Sequence, residues 1–118
     1  MLDVLNMIYI DNLPDDIKTE LERYISYISK IDGVLRIYLF GSYAKGEFTE
    51  YSDIDLLVIV RDDINTLKIM QNICRELRNG RVILDVIADT ESEFNVLSMQ
   101  DRVTIQREVK NTGVLVFG

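Results

Sequence analysis

Two stretches of seven residues, Val34–Phe40 and Ile54–Val60, constrain the fold of this chain more than any other feature. Each is largely apolar and rich in the β-branched and aromatic side chains that favour strands. Such runs are typical of strands that are buried within a sheet. A third run, residues 82–88, has the same character and carries one aspartate. We therefore predict a domain built around a β-sheet.

Helical segments alternate with these strands. Apolar residues recur at helical spacing in 17–28, 64–77 and 91–110. The last of these stretches predicts either one helix or two, and a short apolar run follows it at 114–117. No repeat, linker or low-complexity tract interrupts the chain. We predict one mixed α/β domain over residues 1–118, with a single mixed sheet, helices packed on it and a core at about 15–117.

Capping residues mark the expected ends of the helices. Asn12 is a candidate N-cap of the first helix, Pro14 suits its first turn, and Gly33 is a candidate stop. Asp62 or Asp63 is a candidate N-cap of the second helix. The first twelve residues are ambiguous, because their apolar spacing fits either a short helix or a strand.

The composition excludes several classes of function. The chain has no histidine and one cysteine, which excludes histidine-based catalysis, histidine metal sites, an internal disulfide and a Cys-rich zinc site. Any metal would therefore be held by oxygen, as magnesium, manganese and calcium are. A net charge of −7 disfavours a general nucleic-acid binder. Without a membrane-spanning run or a secretory signal, we expect a cytoplasmic protein that makes no membrane contact.

Gly41 and Ser42 directly follow the first predicted buried strand. Glycine lets the backbone approach a ligand closely, and a serine hydroxyl with the N–H groups that open a helix can hold a phosphate. The small and polar residues 43–52 predict a short helical turn and then a loop. Alone, a Gly-Ser pair after a strand is more often a simple turn.

Three aspartates lie at or within the second and third predicted strands. Asp53 and Asp55 are two positions apart, a spacing that puts Cα atoms about 6.5–7 Å apart on one strand face, so their carboxylates can converge on one cation. The alternative is a turn-capping Asp53 beside a solvated strand start. Asp85 either reaches the same site by sheet pairing, pairs with Arg81 or Arg36, or faces solvent.

Together these features predict a site for magnesium and a nucleoside triphosphate. Two cations held by the carboxylates would bridge the phosphates and activate the attacking group. The spacing of Gly41 and Ser42, ten residues, then Asp53 and Asp55 resembles the signature of the DNA polymerase β-like nucleotidyltransferases. The chain resembles the minimal members of that superfamily over residues 15–117.

This resemblance implies a role for each residue of the motif. Gly41 and Ser42 would bind the nucleotide through its triphosphate, together with Lys45, where many relatives carry an arginine. Asp53 and Asp55 would bind the metals as catalytic residues. Asp85 would complete the metal site and assist deprotonation of the attacking hydroxyl, which makes it the third catalytic carboxylate.

The resemblance extends to the antitoxin half of HEPN/minimal nucleotidyltransferase toxin–antitoxin pairs. Members of that type transfer AMP from ATP to a tyrosine of the partner toxin, a HEPN-family ribonuclease, and silence it. This implies a Mg²⁺-dependent protein adenylyltransferase that uses ATP and touches no nucleic acid directly. Two alternatives stay open: a non-catalytic antitoxin that acts by occlusion, and an aminoglycoside-type enzyme that needs a second subunit. The edge of a small sheet would also allow pairing with a second copy or with the partner.

Overall fold

The computed structural model describes residues 9–118. Most of the ambiguous N-terminal segment lies outside the described residues, and residues 9–11 are helical. The elements, in chain order, are α1 Asp15–Ile28, β1 Val34–Phe40, α2 Ser42–Lys45, β2 Ile54–Val60, α3 Thr66–Leu77, β3 Leu84–Thr90, α4 Glu91–Ser98, α5 Ile105–Thr112 and β4 Val114–Phe117. Within residues 9–118, no helix has the length and apolar character needed to cross a bilayer.

The four strands form one mixed sheet in the order β3-β2-β1-β4. β1 runs antiparallel to β2 and to β4, whereas β2 and β3 are parallel. The parallel pair is connected through α3, as strands of the same direction require a crossover. The predicted fold class, a mixed α/β fold with a single sheet and helices packed on it, is confirmed.

β2 is buried on both faces, which explains its apolar sequence. One face contributes to the larger core against α1 and α3, through Ile54, Leu56, Val58 and Val60. The opposite face contributes Leu57 and Ile59 to a smaller core against α4 and α5. The other members of this core are Phe40 of β1, Phe94 of α4 and Val109 of α5. Asp55 precedes Leu57 by two positions, so it continues the row that faces α4 and α5.

The predicted cap of the first helix is wrong, although the helix itself is confirmed. The N-cap of α1 is Pro14, and Asn12 lies two positions earlier. The Asn12 N–H donates to the Tyr9 carbonyl oxygen at 3.2 Å, so this residue closes the preceding helical turn. α1 ends at Ile28 with Ser29 as its C-cap, and Gly33, at φ +90°, lies in the turn before β1 rather than at the helix end.

The predicted cap of the second helix is also wrong. The N-cap of α3 is Asn65, whose side chain accepts a hydrogen bond from the Lys68 N–H at 3.1 Å. The Asp62 carboxylate instead accepts hydrogen bonds from the backbone N–H and the hydroxyl of Ser92. Asp63 forms an ion pair with a neighbouring arginine. Both aspartates are therefore engaged before the helix begins.

The third strand spans Leu84–Thr90, two residues later than predicted. Its bounds follow its partner, because it pairs with β2 in register from Ile54 opposite Leu84 to Val60 opposite Thr90. The following stretch forms two helices, one of the two predicted arrangements. Thr90 begins the first of them with a capping box, and Thr104 caps the second.

Candidate functional site

The register of the sheet brings three chain segments together at one end of the strands. Phe40, the last residue of β1, lies opposite Asp55 of β2, and Asp55 lies opposite Asp85 of β3. Because β1 is antiparallel to β2 and β3 is parallel to it, the end of β1 meets the beginnings of β2 and β3. Gly41 directly follows Phe40. The sheet therefore places the Gly-Ser pair beside the predicted metal-binding aspartates.

Gly41 packs directly against the Asp55 carboxylate. Its backbone has φ +75° and ψ −151°, a conformation that residues other than glycine rarely adopt. A Cβ atom built on Gly41 would lie 2.1 Å from Oδ2 of Asp55. The glycine thus lets the backbone approach a carboxylate of the chain itself closely, whereas its approach to a bound phosphate stays a prediction.

α2 begins at Ser42 and is anchored to the rest of the site by aromatic side chains. Tyr43 is buried, stacks on Phe48 with ring centroids 4.8 Å apart, and donates its hydroxyl to the Ser52 carbonyl oxygen at 3.4 Å. The Tyr9 hydroxyl donates to the Tyr43 carbonyl oxygen. These contacts hold Ser42 at a fixed position beside the strand ends.

Asp53 lies one residue before β2, so the pleat of the strand does not set its direction as the spacing suggested. The preceding loop sets it instead. The Thr49 N–H donates to Oγ of Ser52 at 2.9 Å, and the Ser52 N–H donates to the Thr49 carbonyl oxygen at 3.1 Å. Ile54 then joins the sheet by donating its N–H to the Ile83 carbonyl oxygen. Asp53 is held half-buried between these two anchors.

Asp55 is surrounded by other carboxylates. Burial is the largest cause that raises its pKa from 3.8 to about 6, and the negative charges of Asp85, Asp53 and Glu108 raise it further. Glu108 lies on α5, and sequence reasoning missed it because an acidic residue on a helix usually marks a solvated face. The site is therefore more acidic than the three predicted aspartates alone would make it.

The donor set suits magnesium. Within residues 9–118, no three acidic or cysteine side chains are arranged closely enough to enclose a metal ion by themselves. Mg²⁺ is usually held by one or two carboxylates together with water and substrate phosphates, so a closed protein cage is not needed. Burial, together with the negative charges of its neighbours, raises the pKa of Asp55, and a bound cation would stabilise the ionised carboxylate against both effects. Asp55, with Asp53 or Asp85, would hold the ion.

Arg36 and Lys45 are both engaged in ion pairs. Arg36 donates to Glu91 at 3.0 Å, so it does not serve as the partner of Asp85, which is exposed at the start of β3. Lys45, the predicted phosphate contact, lies 2.5 Å from Oε1 of Glu108. Arg81 lies three residues before β3 and lines a cavity of about 560 Å³ that also touches Asp53.

The family of the chain follows from a comparison with known protein domains. The sequence profile of the nucleotidyltransferase domain matches residues 21–116. The chain belongs to the nucleotidyltransferase domain family, which confirms the resemblance found in the sequence.

Named relatives agree with this family, and a solved structure shares the fold. Two Methanocaldococcus jannaschii proteins, each named "Putative protein adenylyltransferase", are similar to the chain. One is 36% identical over 62 residues, covering 52% of this chain and 60% of the relative. The other is 43% identical over 60 residues, covering 51% and 59%. The matches thus span less than two thirds of each relative. A solved toxin–antitoxin complex with AMP-PNP shares the fold, with a TM-score of 0.52 and 20% identity over 89% of this chain and 74% of that one.

Replacing Asp55 by asparagine is expected to stabilise the metal-free protein in a pH-dependent way. Because the pKa of Asp55 is raised to about 6 in the folded state, its favourable contribution is complete below about pH 4 and is lost as the pH rises through 6. Asp55 is only partly exposed, but solvent still screens the repulsion, so the variant should gain about 1 kcal/mol above pH 7.

Urea unfolding in EDTA, measured from pH 4 to pH 8, checks this expectation. Glu47→Gln removes one negative charge from an exposed position and serves as the control. A stability gain of Asp55→Asn that is the same at every pH would contradict the electrostatic origin.

Proposed function

We propose that the chain is a Mg²⁺-dependent adenylyltransferase that moves AMP from ATP to a tyrosine hydroxyl of a partner protein. We further propose that this partner is a HEPN-family ribonuclease toxin, which the transfer neutralises in the cytoplasm. The observation that carries the proposal is the contact between Gly41 and Asp55, together with the register pairing of Asp55 and Asp85. It brings the turn that we propose to bind phosphate next to the carboxylates that we propose to bind the metal.

The residues divide the chemistry between them. Gly41, Ser42 and Lys45 would bind the triphosphate, and Asp53 and Asp55 would hold magnesium, which neutralises phosphate charge when bound. Asp85 is exposed at the start of β3 and would accept the proton of the attacking hydroxyl. The hydroxyl oxygen forms a bond to the α-phosphorus, and the bond from that phosphorus to the bridging oxygen breaks, so pyrophosphate leaves.

The electrostatics of the site favour catalysis over simple occlusion. Half-buried carboxylates that repel one another destabilise the folded state, as the raised pKa of Asp55 indicates. A chain that silenced its partner only by covering it would gain stability by losing these charges. A protein acceptor is supported by the names of the M. jannaschii relatives, and a toxin partner by the toxin–antitoxin complex that shares the fold.

Intact-mass spectrometry of the chain with its bound partner tests the proposal. The tagged chain is used to isolate the partner from native cells, and the complex is then incubated with ATP and Mg²⁺. We expect the partner to gain the mass of one or more AMP units, and tandem fragmentation to place them on tyrosine. The control omits Mg²⁺ or replaces ATP by α,β-methylene-ATP, whose α,β bond cannot be cleaved by the transfer.

The outcome distinguishes the proposed function from both alternatives. A partner that is neutralised without any gain in mass would contradict adenylylation and support occlusion. Transfer of AMP to a small alcohol without any protein partner would instead support the aminoglycoside-type reaction.

A further inference from the structure

Lys45 and Glu108 form an ion pair that links α2 to α5 across the mouth of the site. The Lys45 ammonium lies 2.5 Å from Oε1 of Glu108. Lys45 is three positions after Ser42, and its backbone N–H donates to the Gly41 carbonyl oxygen at 3.1 Å. The pair thus connects the short helix of the Gly-Ser turn to a helix near the other end of the chain.

Glu108 is held at this position by the packing of α5. The next residue, Val109, is buried in the smaller core. Gln106 donates to Oδ2 of Asp89 at 2.8 Å, which fixes α5 to β3. At the start of the helix, the Thr104 hydroxyl donates to the Leu97 carbonyl oxygen at 3.1 Å, which fixes α5 to α4. Glu108 is therefore held by a rigid helix close to Asp55 and its neighbouring carboxylates.

Glu108 has an unfavourable electrostatic position except for its contact with Lys45. It is one of the three acidic residues whose charge acts on Asp55, and the others are Asp53 and Asp85. The Lys45 ammonium compensates this excess negative charge. A triphosphate bound at the Gly-Ser turn would need the same ammonium.

We propose that Glu108 competes with the nucleotide triphosphate for Lys45, so that nucleotide binding exchanges one ion-pair partner of Lys45 for another. The proposal rests on the proposed function, because it takes the nucleotide to bind at the Gly-Ser turn. Glu108 is in this sense a positioning residue: it holds the lysine at the mouth of the site and lowers the affinity for the nucleotide.

The exposure of the pair makes such an exchange feasible. The side chains of Lys45 and Glu108 are 36% and 31% exposed, so solvent screens their attraction. A pair of this kind is weak enough for a triphosphate with several negative charges to displace it. Removing the competitor should tighten nucleotide binding by about three- to fivefold, the upper part of the roughly 1.5- to fivefold range that partly exposed ion pairs contribute.

Calorimetric titration of the full chain with Mg²⁺ and α,β-methylene-ATP tests the exchange. Glu108→Gln should lower the dissociation constant by about three- to fivefold, whereas in a Lys45→Gln background the same change should alter it by about twofold or less. Glu47→Gln is the matched control, since Glu47 is exposed and acts on Lys45 through charge alone. It should alter the dissociation constant by about twofold or less.

Each result has a distinct meaning. Unchanged or weaker binding in Glu108→Gln would overturn the exchange, because a competitor cannot be removed without a gain. A gain that is equally large without Lys45 would also overturn it, since Glu108 would then act only as one more negative charge. If the unmodified chain itself fails to bind the nucleotide, the proposed function fails, and that failure is visible before any variant is made.

Discussion

Asp55→Asn is expected to abolish AMP transfer while the protein stays folded. Asp55 lies between the end of β1 and Asp85, and burial, together with the charges of the neighbouring carboxylates, raises its pKa to about 6. An asparagine keeps the shape but loses the charge that would hold Mg²⁺. Because a bound metal contributes several kcal/mol to such a transition state, we expect transfer to fall by at least about a thousandfold.

The rate of AMP incorporation into the partner, followed by intact mass, provides the measurement. Asp89→Asn is the matched control on β3. Asp89 is buried, and burial raises its pKa, so a neutral amide should be tolerated there without loss of transfer. If Asp55→Asn still transferred AMP at a rate near that of the unmodified chain, the assignment of the metal site would be wrong.

Gly41→Ala is expected to damage both stability and nucleotide binding. The new Cβ would lie 2.1 Å from Oδ2 of Asp55, and the backbone at φ +75° and ψ −151° strongly disfavours any side chain. The Asp55 side chain or the turn must therefore shift. We expect a loss of about 2–3 kcal/mol in the free energy of unfolding and at least about a tenfold loss of nucleotide affinity.

Gly46→Ala separates the steric effect from the effect of backbone conformation. Gly46 also has a positive φ, +71°, but no atom lies within 4 Å of its added Cβ. We expect a cost of about 1–2 kcal/mol and nearly unchanged nucleotide binding. Urea unfolding and calorimetric titration of both variants provide the comparison. Equal losses of affinity in the two variants would show that the contact of Gly41 with Asp55 is not what the nucleotide site requires.

The strands and the centre of the site could be predicted from the sequence because their signals are local. Ile54–Val60 is apolar because it is buried on both faces of the sheet, and Val34–Phe40 is apolar where its second half enters the core. The Gly-Ser turn and the Asp-x-Asp pair are separated by a short loop, so their spacing survives in the sequence as a motif. The sequence left open whether Asp85 reaches this site by sheet pairing, and the register places it opposite Asp55.

The parts that could not be predicted depend on contacts between distant segments. Asp62 is a plausible helix cap by its sequence, but its carboxylate accepts hydrogen bonds from Ser92, thirty positions away in sequence. The bounds of β3 are set by its partner strand rather than by its own residues. Glu108 belongs to the site only because α5 docks on the smaller core at an angle that no local pattern encodes.

The positions of these residues along the chain have a consequence for how the protein can change. The Gly-Ser turn and the aspartates lie between Gly41 and Asp85, whereas Glu108 belongs to α5, which follows that part of the chain. Substitutions in α5 would therefore adjust how strongly the nucleotide is held without altering the groups that react with it. Sensitivity to the cellular ATP concentration would thus be able to diverge between related chains while the transferred group and its acceptor stay the same.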